Sequence, residues 1–155
     1  MSYDSTQNIL NHRRDVRQFI GWLVQEMLAR GAVHDDSKLC DPIEKATFDA
    51  WTPEMRLREF GSDEYKVALD AMGEGVQRHY RNNAHHPEHY PNGIDGMSLI
   101  DLVEMFCDWS AVCLRKDTDL DLETAQKRFH MSDQLRNIFQ NTWNLAQGDR
   151  TLWQK

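Results

Sequence analysis

A chain of 155 residues with 40% hydrophobic residues, five Trp and four Tyr is long enough to bury a core without disulfides or a partner, and it reads as one domain. No apolar run approaches the roughly 20 residues of a membrane span, and the opening MSYDSTQN lacks the basic-then-apolar layout of an export signal. A net charge of −7 argues against non-specific nucleic-acid binding, which needs Lys and Arg to neutralise phosphates, and favours a bound cation or a small substrate.

The apolar spacing is helical almost throughout, so the expected fold class is all-α, a single helical bundle. The first helix is expected from Ser5 to Ala29, with Ile9, Val16, Phe19, Ile20, Leu23, Val24, Met27 and Leu28 along one stripe and Gly31 just beyond its end. His12 lies on that stripe. A short helix is expected to carry HDDSKL. Asp41-Pro42-Ile43-Glu44 then reads as an N-cap, a first-turn proline and a capping-box acid, opening a helix through Phe48 and Trp51. Thr52-Pro53-Glu54 suggests a further short helix. From Ser62 one longer helix places Tyr65, Leu69, Met72, Val76 and His79 on one face, so His79 points inward. NNAHHPEHYPNGIDG is a loop, since Pro87 and Pro91 interrupt helix and Gly93 and Gly96 favour turns. Ser98 and Asp101 cap a helix to about Leu114. Helices beginning near Asp121 and Ser132 complete the chain, the last burying Leu135, Ile138, Phe139 and Trp143 before Gly148.

Seven histidines are the strongest chemical signal, and six fall where they could converge on one site. Imidazole and carboxylate are suitable ligands for Mn, Fe, Co, Ni or Zn, and no thiolate cluster competes. Cys40, Cys107 and Cys113 form neither an even disulfide set nor a CxxC pair, which fits a reducing, cytoplasmic compartment. In the pair His34-Asp35 two neighbouring side chains can reach one metal, and the carboxylate's second oxygen can bridge to another.

An early-helix histidine (His12), an HD pair (His34, Asp35), further histidines and a distant aspartate (Asp108 in FCDWSA) resemble the HD-domain superfamily of metal-dependent phosphohydrolases. HDDSK is similar to the HDxGK of the HD-GYP branch, with Ser37 for glycine and Lys38 matching the lysine. HHPEHYPNGIDG is similar to that branch's HHExxDGxGYPxGLxG, covering His85, His86, Tyr90, Pro91 and Gly93. The likeness spans about residues 12–110, within an HD-like region of about 5–116, and leaves the C-terminal helices, about 120–147, uncovered. The loop is shorter than in the HD-GYP branch, so cyclic dinucleotide hydrolysis does not carry over. The chain also looks like short bacterial and phage proteins, which implies no particular activity.

The resemblance implies one or two divalent ions held by His12, His34, Asp35, His79, His85, His86 and Asp108. It implies hydrolysis of a nucleotide or related small phosphoester, with Asp35 and Lys38 as the residues of the chemistry. Arg13, Arg78 and Arg81 would widen a phosphate pocket. Two other functions stand beside this one: a mixed-valent di-iron oxygenase using four histidines and two aspartates, and a non-catalytic metal-stabilised binding module. Each residue also has a plainer use. His12 and His79 could be core histidines, His34-Asp35-Asp36 a solvated helix start, His85 and His86 exposed loop residues, and the arginines surface ion-pair partners. Lys38 could be an exposed helix lysine, and Asp101, Glu104 and Asp108 a solvated stripe. The rest of their helix is apolar nearly all round, which implies burial, with Asp108 as a ligand and Glu104 holding a histidine.

Overall fold

The structure, a computed structural model, describes residues 3–148. No strand occurs among them, and the chain is all-α. It divides between His34 and Asp35 into two units. No described helix is long and apolar enough to cross a membrane.

The first unit is one helix, α1, Thr6–Ala32. It runs past its expected end because one glycine costs only about 1 kcal/mol against alanine, too little to stop a helix whose earlier turns are already formed. Gly31 therefore sits inside the last turn, and Val33 closes the helix with its N–H on the Arg30 carbonyl. None of the stripe residues of α1 is buried.

Residues 34–36 form a turn rather than helix, with Asp35, the first residue of the second unit, in the left-handed region at φ 62°. The short α2, Ser37–Cys40, follows. Asp41 then caps α3, Pro42–Met55, accepting from the backbone N–H of Ile43 and Glu44. No separate helix forms at Thr52-Pro53-Glu54. Pro53 lies in the final turns of α3, where the helix forfeits only the bond that its nitrogen cannot donate, and Thr52 Oγ1 donates to the Phe48 carbonyl at 2.5 Å.

The long helix expected from Ser62 is two: α4, Asp63–Ala71, and α5, Glu74–Asn82. Gly73 between them has φ 53°, a conformation that glycine takes at no steric cost. Residues 83–98 form the loop, stiffened by 3-10 turns at Pro87–His89 and Gly93–Gly96. α6, Leu99–Lys116, opens on the expected Ser98–Asp101 capping box. α7, Leu122–Phe129, is capped by Asp121 and closed by His130 at φ 52°. α8, Asp133–Gly148, completes the described chain.

Two apolar clusters organise the second unit. Met105 and Phe106 of α6 pack with Leu122, Ala125, Phe139 and Trp143 of α7 and α8, and the Phe106 and Phe139 rings stack at 5.1 Å. Ile138, expected inside, is 51% exposed, because α8 turns the Phe139–Trp143 face to that core. α6 is not buried all round either: Leu99 and Cys107 are exposed while Met105 is 1% exposed. Met72, Val76 and Tyr80 form the second cluster with Phe48 and Trp51 of α3. α3 and α5 approach closely at Gly75, where a Cβ would lie 2.1 Å from Thr47 Oγ1. That close approach brings α3 against the buried face of α5.

Candidate metal centre

α5 buries Gly75, Val76, His79 and Tyr80, a one-sided stripe at helical spacing, so His79 is carried inward at 2% exposure. The loop beyond it doubles back. His86 N–H bonds to the Asn83 carbonyl and His89 N–H to the His86 carbonyl, turns that present His85 and His86 beside His79. The turn before α2 supplies Asp35.

Four donor atoms, one each from Asp35, His79, His85 and His86, lie within 4.8 Å of one another, and two of the four residues are buried. His79 Nε2 stands 2.9 Å from His86 Nε2 and 3.4 Å from Asp35 Oδ1, and His85 Nε2 is 3.5 Å from the same oxygen. Ligands about 2.1 Å from a common ion are separated by roughly 3.0 Å at right angles and about 3.4 Å in a tetrahedron. The observed spacings match the edges of such a polyhedron. The cluster can therefore hold a metal ion, with three imidazoles and one carboxylate as donors.

The outer nitrogens support this arrangement. His79 Nδ1 lies 3.1 Å from Glu44 Oε2 and His85 Nδ1 3.3 Å from Glu104 Oε1, so a carboxylate backs each ring. This pairing orients a metal-bound histidine and raises its basicity. Burial pushes the His79 imidazole down to about 4, helped by the nearby Lys38 charge, which keeps the ring neutral at pH 7 and its lone pair available. Lys38 Nζ is 2.6 Å from Asp35 Oδ2, on the carboxylate oxygen other than the one facing the histidines, and 4.5 Å from the centre of the Phe48 ring.

Three of the other sequence candidates, His12, Arg13 and His34, belong to the first unit. His12 and Arg13 are at exposed positions of α1, and His34 is the last residue of that unit. Asp108 is half-buried on α6, one turn beyond Glu104, outside the set that meets Asp35. Arg78 spends Nε and Nη2 on Asp41 Oδ2 at 3.0 and 2.7 Å, which holds the Asp41 carboxyl below the usual range. Arg81 bonds Glu74 at 2.7 Å. His89 donates to the Tyr80 carbonyl, and His130 closes α7.

Glu44 is the functional residue that sequence reasoning missed. It sits where a capping-box acid would, but turns inward to 0% exposure. The signal was its position four residues before Phe48 and seven before Trp51, on the apolar stripe of α3. Behind the cluster, Arg128 Nη2 reaches Glu88 at 3.0 Å and Tyr80 Oη at 3.4 Å, while its guanidinium lies 4.9 Å from the Phe129 ring centre. Burial and the Glu88 charge push the Tyr80 hydroxyl up to about 12. A cleft of about 440 Å³ is lined by Leu120, Trp143 and Gln147 among others, and one of about 560 Å³ by Lys66, Leu69 and Arg128 among others, and neither is lined by a residue of the cluster.

Comparison with protein families matches residues 1–145 to DUF5662, a family of unknown function. The chain belongs to that family. No curated protein and no solved structure matches this DUF5662 member. The centre of Asp35, His79, His85 and His86 thus stands in a DUF5662 chain on its own geometry.

Proposed function

We propose that this DUF5662 protein is a metal-dependent phosphohydrolase of the HD-domain kind, acting on a nucleotide or related small phosphoester. The observation that carries the reading is the convergence of Asp35 Oδ1 with the Nε2 atoms of His79, His85 and His86, with an ammonium group on the other oxygen of Asp35. A divalent ion bound there supplies a water acidic enough to ionise near neutral pH and a positive charge for the phosphoryl group. Asp35 brings the negative charge of the ligand set. Glu44 and Glu104 hold the outer nitrogens of His79 and His85, so both rings keep their inner lone pairs turned to the site. Lys38 offers its ammonium to a phosphate oxygen placed beside Asp35. In the reaction a bond forms from the water oxygen to phosphorus, the bond to the leaving oxygen breaks, and a water proton passes to that oxygen.

The test begins with metal content by elemental analysis, followed by a phosphate-release screen with Mn²⁺ and nucleotides beside an oxygen-uptake assay with Fe²⁺. Release that chelation abolishes is the expected result. Lys38→Ala should retain the metal and lose turnover at low substrate, because the lysine acts on substrate rather than on an already positive ion. Oxygen uptake without phosphate release would replace the hydrolase with an oxygenase. Turnover in neither assay would leave a binding module.

A further inference from the structure

A fully buried carboxylate is an expensive residue to keep, since removing it from water costs several kcal/mol even after relaxation. Glu44 is 0% exposed and meets its hydrogen-bond needs with neutral donors: Asn82 Nδ2 to Oε1 at 2.6 Å, Ser37 Oγ to Oε2 at 2.6 Å, and His79 Nδ1 beside Oε2 at 3.1 Å. Stability alone does not account for such a group, because an apolar residue of similar size would fill the space at lower cost.

The protons around it can be assigned by elimination. The Asn83 amide nitrogen lies 2.8 Å from the His79 carbonyl oxygen, which fixes the amide's orientation because its own oxygen there would face another acceptor. Its second hydrogen goes to Ser37 Oγ at 2.7 Å. The single Ser37 hydroxyl proton then goes to Glu44. Asn83 Nδ2 also lies 2.9 Å from His79 Nδ1, but its two hydrogens serve the shorter contacts to the His79 carbonyl and Ser37 Oγ, and because the Glu44 carboxylate only accepts, His79 Nδ1 engages it by donating a proton of its own. Nε2, the atom facing Asp35 Oδ1 and His86 Nε2, is left as a bare lone pair.

We infer that Glu44 is a positioning residue that locks His79 in the Nδ1–H tautomer, with Ser37 and Asn83 holding the carboxylate and the ring in register, so that Nε2 is committed to the metal. The inference rests on the metal-centre reading for its purpose, and on the contacts of Glu44, Ser37, Asn83 and His79 for its geometry. With His79 Nε2 bare, the 2.9 Å contact between the two Nε2 atoms requires His86 to be the donor whenever no ion lies between them.

Long-range ¹⁵N–¹H correlation spectra of metal-free protein, with the histidines assigned by substitution, report the tautomer directly. The expected result is a protonated Nδ1 and a bare Nε2 on His79. A wild-type His79 protonated on Nε2 overturns the inference, whether or not any variant folds. Glu44→Gln keeps the volume while weakening the acceptor, and should mix the His79 tautomers and reduce Zn²⁺ affinity by about 10- to 100-fold in a titration on folded protein. A folded Glu44→Gln protein with wild-type tautomer and affinity also overturns it. Failure of wild type to bind Zn²⁺ or Mn²⁺ would remove the metal reading while the tautomer result still decides the role of Glu44.

Discussion

Two packed regions of the second unit bury different kinds of side chain. Around α6, α7 and α8 the buried residues are Met105, Phe106, Leu122, Phe139 and Trp143, with rings stacked on rings. Where α3, α5 and the histidine loop meet, the least exposed residues are Glu44 at 0% and His79 and His85 at 2%. Each apolar methylene removed from water stabilises by about 0.8 kcal/mol, whereas each buried charge costs several. Stability thus resides mainly in the apolar packing of α6, α7 and α8, and the buried polar centre is held at its expense.

The largest effect that would break this division is loss of the metal without loss of the fold. Asp35→Asn removes a charge and a strong oxygen ligand while keeping side-chain volume, and Asn tolerates a φ of 62° as well as Asp does. Metal stoichiometry should fall to background with helicity intact by circular dichroism. Full occupancy in a folded Asp35→Asn protein would end the metal-centre reading.

The converse change is Met105→Ala, at a position 1% exposed in the apolar region. It should destabilise by about 2 to 5 kcal/mol in urea unfolding and leave the metal content of the folded fraction unchanged. Depleted metal at native helicity would show that the two regions are not independent. The smallest expected effect joins both properties. Gly75→Ala places a Cβ 2.1 Å from Thr47 Oγ1, forcing α5 away from α3 at a cost of about 1 to 3 kcal/mol and drawing His79 from Glu44. Stability and Zn²⁺ affinity should fall together, and wild-type values for both would mean that the α3–α5 contact does not set the ring.

Much of this was legible from residue spacing. The inward face of His79 survives the unexpected break at Gly73 because Val76, His79 and Tyr80 keep helical spacing within α5 alone. The loop, the Ser98–Asp101 box and the caps at Asp41 and Asp121 follow from side chains that bond their own neighbouring backbone, an interaction written locally. What escaped depends on contacts distant in sequence. Glu44 and His79 are 35 residues apart, and no local pattern tells a capping acid from one that turns to a ring on another helix. The outward turn of Ile138 and Cys107 likewise depends on which helix faces arrive opposite them.

The left-handed backbone of Asp35 places position 35 under two separate filters. The backbone admits Gly, Asn and Asp readily and most other residues at a cost. The proposed donor set takes its one negative charge from this carboxylate. Asp passes both, whereas Glu, which keeps the charge, would meet the steric penalty of the turn. Substitutional freedom at this position is therefore narrower than either its partial exposure or its place in a turn would suggest, and a library selected for folding alone would recover Gly and Asn there alongside Asp.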